Sequence, residues 1–270
     1  MIIWLASYPK SGNTWVRSFL SNYLSKEENF EFDQLNTILK FPNKKIIKEL
    51  KIDSSKFINI ASNWSTMQNY INLKGNINYV KTHNALTTVN SYEFTNSQNT
   101  IGYIYLVRDP RDVVLSYASH IGKSVEETFS YLTNNRYMEL LDDDILHPSA
   151  LLGSWANNYN SWKNCDFLKG IVVRYEDLIS DPKKSFLEII KFLNKISGIE
   201  INPIRIKKCC ENTNFNKLKE LENNQGFDEK GKNNFFRKGK VGDWKKNLSP
   251  KVRADIEKIF NVEMKELKYL

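Results

Sequence analysis

This 270-residue sequence has few cysteines and no long apolar run, and each absence excludes a class of protein. Its three cysteines, Cys165, Cys209 and Cys210, are an odd number with two adjacent, which argues against a disulfide framework or a zinc site and favours a reducing compartment. No apolar run approaches the roughly 18 residues that a transmembrane helix needs. The first residues lack the basic segment and cleavage site of a signal peptide. We therefore expect a cytoplasmic protein without a membrane anchor.

The chain is basic, with 39 lysines and arginines against 31 acidic residues and a formal net charge of +8. Such a protein attracts nucleic acid, an anionic membrane or a small polyanion. The lysine pairs at positions 44–45, 207–208 and 245–246 are short and dispersed rather than one stripe. That distribution argues against a nucleic-acid-binding surface and is compatible with a small ligand that carries several phosphates.

Apolar runs alternate with amphipathic segments, which predicts an α/β fold with a central parallel sheet flanked by helices, in one domain over residues 1–270. In such sheets, ligands bind beyond the carboxyl ends of the strands. The predicted strands are residues 2–7, 77–81, 101–107 and 170–174. The predicted helices are residues 16–24, 33–50 (one or two helices broken at Pro42), 64–73, 111–120, 125–141, 151–162 and 186–193.

The most informative segment is the loop over residues 8–15, Tyr-Pro-Lys-Ser-Gly-Asn-Thr-Trp, which joins the first predicted strand to a helix. Backbone N–H groups at a helix N-terminus, close approach at Gly12 and the charge of Lys10 are the components of an anion-binding loop. An ordinary strand-to-helix turn would share this outline. The loop is not a Walker A motif, because Lys10 precedes Gly12 and that motif places its lysine after the second glycine.

The segment Tyr-Val-Lys-Thr-His over residues 79–83 places His83 directly after a predicted strand. An imidazole titrates near neutrality and can remove the proton of an acceptor hydroxyl, which makes His83 a candidate general base. A surface or capping histidine is the structural alternative. His120 and His147 have no comparable context.

Arg108 ends the third predicted strand, and an Asp-Pro pair then opens the helix that carries Ser116. An arginine at a strand end and a hydroxyl on the following helix can bind one phosphate, with the arginine as a two-pronged donor. The alternative is a structural ion pair with Asp109 or Asp112, which we expect for Arg111. Further along, the basic loop over residues 235–245 contains two glycines that could wrap its backbone around a phosphate.

These segments, in this order, resemble the motifs of the PAPS-dependent sulfotransferases of the cytosolic type, and the resemblance extends from residue 8 to residue 245. PAPS is 3′-phosphoadenosine 5′-phosphosulfate. The resemblance implies a P-loop-like, three-layer fold. It also implies in-line transfer of a sulfuryl group from PAPS to an acceptor hydroxyl, release of PAP (adenosine 3′,5′-bisphosphate), and no metal.

The resemblance also implies a role for each matched residue. His83 would be the general base, Lys10 would steady the phosphosulfate, and Lys81 would assist the sulfuryl oxygens. The implied donor-binding residues are Lys10, Ser11, Gly12, Asn13 and Thr14 at the 5′-phosphate, Trp15 and Phe215 with Thr213 at the adenine, Tyr175 at the adenosine, and Arg108, Ser116, Arg237, Lys238 and Gly239 at the 3′-phosphate.

The chain departs from the family pattern at Asn13, where a threonine is frequent, and at Asn84, where the family usually has leucine and then proline. The second departure leaves the acceptor pocket undefined. We expect residues 33–73, 86–99 and 125–148 to shape it. The sequence does not identify the acceptor, whether a hydroxyl on a small molecule, glycan or natural product or an amine, and it leaves the oligomeric state open. Two other classes compete with this interpretation: a P-loop-type nucleotide kinase or NTPase, and a basic nucleic-acid-binding protein.

Overall fold

The computed structural model describes residues 1–25, 27–139, 150–229 and 233–270. Its strands are β1 (Ile2–Ser7), β2 (Leu39–Phe41), β3 (Asn78–Thr82), β4 (Thr88–Val89), β5 (Tyr92–Glu93), β6 (Thr100–Val107), β7 (Met138–Glu139), β8 (Ala150–Leu151) and β9 (Lys169–Arg174). Its α-helices are α1 (Asn13–Ser25), α2 (Lys44–Glu49), α3 (Phe57–Ala61), α4 (Trp64–Asn72), α5 (Pro110–Ile121), α6 (Val125–Thr133), α7 (Trp155–Lys163), α8 (Tyr175–Ser180), α9 (Pro182–Ser197), α10 (Pro203–Asn212), α11 (Phe215–Gln225), α12 (Trp244–Asn247), α13 (Pro250–Ile259) and α14 (Asn261–Glu266). A 3-10 helix spans Phe32–Thr37.

The main sheet has five strands in the order β2-β3-β1-β6-β9, and every pairing in it is parallel. Strand β1 lies at its centre, and all six of its residues are buried. Trp4 and its even-numbered neighbours pack into one core, and Ile3 and Leu5 pack into a second core on the opposite face. Helices therefore cover both faces of the sheet, which confirms the predicted three-layer α/β fold.

Helix α9 shows why these segments form helices. Pro182 stands at its first turn, and Asp181 caps it by accepting a hydrogen bond from the Lys184 N–H. The apolar stripe at Phe186, Ile189, Ile190 and Leu193 is fully buried against the second core. Gly198 ends the helix in the left-handed region at φ 73°. The predicted stripe at 186–193 is confirmed.

Three predicted elements differ from the structure. Residues 33–50 contain strand β2 between the 3-10 helix and α2, because Leu39–Phe41 pairs with β3 at the edge of the sheet. Helix α6 ends at Thr133 rather than near 141, and residues 138–139 pair with 150–151 as a short antiparallel ladder. Residues 140 and 141 lie outside the described residues. Helix α7 begins at Trp155, not at 151, because Ser154 caps it.

Candidate active site

The carboxyl ends of the parallel strands surround a cavity of about 1200 Å³. The loops that leave β1, β2, β3, β6 and β9 all contribute to its wall, as expected for an α/β sheet. Most residues with an implied role line this cavity: Lys10, Gly12, Asn13, Thr14, Trp15, Lys81, His83, Arg108, Ser116, Tyr175, Phe215, Arg237, Lys238 and Gly239. Segments more than 200 residues apart in the sequence therefore meet in one place.

The loop after β1 has a backbone that its sequence explains. Gly12 has φ 96°, and a Cβ there would lie 2.7 Å from Cδ2 of Tyr175, so only glycine fits. The Asn13 side chain donates hydrogen bonds to the Leu5 carbonyl oxygen at 2.9 Å and to Ser7 Oγ at 3.2 Å. These bonds fasten the start of α1 to the end of β1. The Asn13 side chain thus braces the loop, and its backbone N–H lies at the helix N-terminus.

Lys10 is the charged group of this loop. Its φ is 66°, an uncommon left-handed conformation for a non-glycine residue. Its Nζ lies 3.6 Å from the ring centroid of Phe235, so the ring and the ammonium group are in contact. Burial, together with the nearby charges of Lys81 and Arg108, lowers the pKa of Lys10 to about 7. Lys10 therefore changes charge near neutral pH.

His83 follows β3 and is oriented by the loop after β1. Its Nδ1 lies 2.8 Å from the Ser7 carbonyl oxygen and 3.2 Å from Ser7 Oγ. A carbonyl oxygen only accepts, so Nδ1 carries the proton and Nε2 has the free lone pair. Burial, and then the charge of Lys81, lowers the pKa of His83 to about 3, so the imidazole is neutral at physiological pH. The Asn158 side chain fixes the backbone by donating to the His83 carbonyl oxygen at 3.0 Å.

Arg108 joins two loops of the site. Its Nη1 donates to the Lys10 carbonyl oxygen at 3.1 Å, and its Nη2 donates to the Lys240 carbonyl oxygen at 3.0 Å. The guanidinium also stacks on Tyr175, with 4.4 Å from Cζ to the ring centroid. Its Nε is buried and has no hydrogen-bond partner in the described part of the chain. Ser116, two turns into α5, lines the same cavity.

Asp112 holds the basic glycine loop, residues 235–245, in place. Its carboxylate accepts hydrogen bonds from the Gly242 N–H at 2.7 Å and the Trp244 N–H at 3.0 Å. Gly239 is needed because a Cβ there would lie 2.4 Å from the ring of Phe215. The Lys238 ammonium forms an ion pair with Asp243 at 2.7 Å. A few side-chain contacts therefore hold this loop in place as part of the cavity wall.

Two residues with an implied role do not line the cavity. Ser11 is fully buried, and its Oγ has no partner among the described residues. Thr213 is also fully buried, and its hydroxyl donates to the Cys209 carbonyl oxygen at 2.8 Å, which caps the end of α10. The Thr213 side chain therefore makes a structural hydrogen bond inside the protein. Arg111 forms the expected structural ion pair with Asp109, at 2.7 Å.

The sequence analysis assigned no role to Arg17, Lys40 or Glu229 and set His120 aside. Lys40, His120 and Glu229 nevertheless line the cavity, and Arg17 forms an ion pair with Glu229. His120 lies one helical turn after Ser116 on α5 and could have been found from that spacing. Burial first, and then Lys10, lowers the pKa of His120 to about 4. Arg17 follows Thr14 by one turn on α1 and could have been found in the same way.

The rest of the cavity wall is formed by residues outside the loop after β1. Tyr117 donates a hydrogen bond to Glu139 Oε1 at 3.0 Å, and burial raises the pKa of Glu139. The other lining residues there are Phe41, Pro42, Ile121, Tyr131, Tyr137, Met138 and Ala150. Residues from 33–73 and 125–139 thus line this cavity, and their role in an acceptor pocket stays a prediction. His147 and the predicted wall residues at 140–148 lie outside the described residues.

Residues 86–99, which we expected to help shape the acceptor pocket, do not line this cavity. All of them are described, and none lines it. Phe94 is anchored in the core, with 5.1 Å between its ring centroid and that of Trp4, and β4 and β5 form a small hairpin beside it. Phe94 therefore anchors this segment in the core, away from the lining of the cavity.

Two further properties bear on the site. In the described ranges, no group of three or more histidine, cysteine, aspartate or glutamate side chains is arranged to hold a metal ion. None of the helices in those ranges combines the length and apolar character needed to cross a membrane.

Comparison with known proteins gives one family. A family model described as a sulfotransferase domain matches residues 2–268. A 3-alpha-hydroxysteroid sulfotransferase from Cavia porcellus is 25% identical over 274 residues, covering 96% of this chain and 82% of its own. An amine sulfotransferase from Oryctolagus cuniculus is 26% identical over 276 residues, covering 98% of this chain and 81% of its own.

Solved structures with this fold include two in complex with PAP. Retinol dehydratase in a complex with retinol and PAP superposes with a TM-score of 0.64 at 19% identity, covering 98% of this chain and 81% of that one. Mouse sulfotransferase SULT7A1 complexed with PAP gives a TM-score of 0.61 at 20% identity, covering 98% and 84%. These likenesses confirm the predicted P-loop-like fold.

Proposed function

The chain belongs to the sulfotransferase domain family, and from that premise we propose that it transfers a sulfuryl group from PAPS to an acceptor hydroxyl and releases PAP. The acceptor would be a small molecule, a glycan or a natural product. We place the reaction in the cytoplasm, because all three cysteines are free, as is usual in a reducing compartment.

The residues of the cavity fit a donor with several negative charges. Lys10, Lys81 and Arg108 supply positive charge along one side. Arg108 lines the cavity, and its Nε is a buried polar atom without a partner within the described ranges, which leaves it available to a ligand. We propose that Arg108 and Ser116 bind the 3′-phosphate and that the backbone of the loop after β1, with Thr14, binds the 5′-phosphate. When bound, the donor supplies an activated sulfuryl group.

The observation that carries the proposal is the orientation of His83. Its Nδ1–H donates to the Ser7 carbonyl oxygen, so Nε2 is the nitrogen that can accept a proton. A pKa of about 3 keeps the ring neutral and ready, but it also makes the ring a weak base. The proton should therefore leave the acceptor hydroxyl late, once its oxygen has begun to bond to sulfur and has become acidic.

Lys10 and Lys81 would act by their charges. In-line transfer of a sulfuryl group, like that of a phosphoryl group, depends on positioning and on fixed positive groups around the developing negative charge. We propose that Lys10 steadies the bridging oxygen and that Lys81 steadies the sulfuryl oxygens. The two ammonium groups and the backbone N–H groups of the loop supply the positive field, so we propose no metal ion in the reaction.

The direct test is transfer of radioactive sulfur from labelled PAPS to a panel of hydroxyl and amine acceptors. We expect label to move to at least one hydroxyl acceptor, and we expect PAP to raise the melting temperature of the protein. Labelling of amines only would revise the acceptor class. A protein that PAP does not stabilise and that labels no acceptor would refute the proposed function.

A further inference from the structure

The carboxylate of Glu229 lies in the middle of the positive side of the cavity. Its Oε1 forms ion pairs with Arg17 Nη1 at 2.5 Å and with Lys40 Nζ at 2.9 Å. Its Oε2 accepts from Lys81 Nζ at 3.1 Å and lies 3.5 Å from Thr14 Oγ1, the long limit of a hydrogen bond. One carboxylate therefore gathers three cations and a hydroxyl.

The groups around Glu229 come from the rigid part of the fold. Thr14 and Arg17 lie one turn apart on α1, Lys40 is on β2, and Lys81 is on β3. Glu229 itself follows α11, on the loop that leads to the basic glycine segment. The cationic site thus belongs to the sheet and its first helix, while the anion that fills it belongs to a loop.

The electrostatics of the cluster require an anion. The Arg17 side chain is only 2% exposed, and an arginine buried to this degree is strongly destabilising without a negative partner. Burial alone would raise the pKa of Glu229, but Lys81, Arg17 and Lys40 outweigh it and hold that pKa well below its usual value. Glu229 is therefore ionised, and an anion that took its place would restore the negative charge that these cations lose when it leaves.

We propose that Arg17, Lys40, Lys81 and Thr14 form a site for a tetrahedral sulfate or phosphate oxyanion, and that Glu229 is an internal competitor for that site. The site takes the 5′-phosphate or the sulfuryl group at the phosphosulfate end of the donor. This inference rests on the proposed function, because it places the donor over Thr14 and Lys81. When the donor binds, its oxyanion replaces the carboxylate of Glu229 among these cations. This competition lowers the affinity for the donor, and Arg17 keeps a negative partner in both states.

The size of the effect follows from the populations. If the carboxylate holds the site in about 90–99% of molecules, the apparent affinity for the donor is reduced roughly 10- to 100-fold, since only the remainder can bind. Glu229→Gln removes the competing charge and keeps the size of the side chain. Asp228→Asn is the matched control, because it neutralises the preceding residue, which is exposed at the same cavity.

The experiment is a calorimetric titration of wild type, Glu229→Gln and Asp228→Asn with four ligands: PAP, PAPS, adenosine 3′-phosphate and inorganic sulfate. We expect Glu229→Gln to bind PAP at least about tenfold more tightly than wild type. Asp228→Asn should match wild type. Adenosine 3′-phosphate has no group for the site, so its affinity should change little. Tighter binding of PAPS without tighter binding of PAP would assign the site to the sulfuryl group rather than the 5′-phosphate.

Several results would overturn the proposal. Equal tightening in both variants would show an effect of net charge only. Unchanged or weaker binding of both PAP and PAPS by Glu229→Gln would show that Glu229 is not a competitor. If Glu229→Gln does not fold, Glu229→Asp serves in its place: its shorter side chain loosens the contacts, and it should tighten PAP binding relative to Asp228→Asn.

The inorganic sulfate titration separates this inference from the proposed function. If no form of the protein binds PAP or PAPS but Glu229→Gln binds sulfate more tightly than wild type, the oxyanion site stands and the proposed donor fails. If PAP binds wild type and both variants with equal affinity, and PAPS does so too, the proposed donor stands and the role of Glu229 is refuted.

Discussion

Where the parallel strands end, His83 and Arg108 are held by hydrogen bonds to backbone oxygens of β1 and of the loop after it, whereas the basic glycine loop is held to the rest of the site by side chains. His83 donates to the Ser7 carbonyl oxygen, and Arg108 donates to that of Lys10. The basic glycine loop depends instead on the carboxylate of Asp112. Loss of the Asp112 carboxylate should therefore loosen the basic glycine loop, which Arg108 also holds, while the strand ends stay paired within the sheet.

This difference separates two tasks. Groups at strand ends are held in place before any ligand arrives, which is what group transfer requires of its base and its fixed charges. The basic glycine loop lines the cavity, and we propose that it contacts the donor rather than the reacting atoms. We therefore expect loss of His83 to affect turnover most, and changes at Arg108, Lys10 or the basic glycine loop to affect donor affinity most.

The largest effect is expected for His83→Ala, which removes the proposed general base at the end of β3. Loss of the base should lower turnover by about 10²–10⁴-fold, the usual contribution of a general base. Steady-state kinetics at saturating PAPS measures the loss, and a PAP titration of the same variant is the control. Binding of PAP should survive. Turnover close to wild type would remove His83 from the reaction.

Arg108→Ala tests a strand-end residue whose expected role is binding. Loss of a charge-assisted contact to the 3′-phosphate costs about 1.5–3 kcal/mol, or roughly 10- to 100-fold in PAP affinity. Adenosine 5′-phosphate lacks the 3′-phosphate, so its affinity should change little. Equal losses for the two ligands would show that Arg108 only supports the loops it joins.

Asp112→Asn tests the role of the basic glycine loop. An amide offers one acceptor oxygen where the carboxylate offers two, so one of the N–H groups of Gly242 and Trp244 loses its partner. We expect PAP to bind up to about tenfold more weakly, since one such contact is worth about 1 kcal/mol. Turnover at saturating PAPS should fall far less than in His83→Ala. A comparable fall would mean that the loop also aligns the reacting groups.

The smallest expected effect is a pH dependence that comes from Lys10. Its pKa of about 7 means that the free protein loses this charge as the pH rises above neutral. An anionic ligand favours the charged form, so PAP binding should take up a proton, and its affinity should fall above pH 7 by up to about tenfold per unit. Calorimetry in two buffers with different ionisation enthalpies measures the uptake. Lys10→Met should abolish it, and an uptake that persists would assign it to another group.

The strand ends were predictable because they follow local patterns. The run at residues 2–7 is apolar throughout, and glycine at position 12 signals a backbone that approaches another group closely, here Tyr175. The Asp-Pro pair marks the start of α5 directly after Arg108. From such signals the sheet and the positions of Lys10, His83 and Arg108 at one edge could be predicted.

The contacts between the loops and the rest of the site could not be predicted from the sequence, and the reason is physical. Glu229 meets Lys81 across 148 positions in the sequence, and no local period reports so distant a contact. Strand β2 is only three residues long, too short to show an alternating pattern, so Lys40 could not be placed on the sheet. Thr213 matched a family segment, yet its hydroxyl caps α10, a choice that depends on packing rather than on the motif.

The central claim is that the strand ends and the loops together form one site for an adenosine that carries phosphates at both the 3′ and the 5′ positions. Calorimetric titration of the wild-type protein with PAP, and separately with ATP and Mg²⁺, tests it most directly. We predict that PAP binds at one site per chain and much more tightly than ATP with Mg²⁺. Tight binding of ATP with Mg²⁺ and no binding of PAP would contradict the account and favour a nucleotide kinase or NTPase.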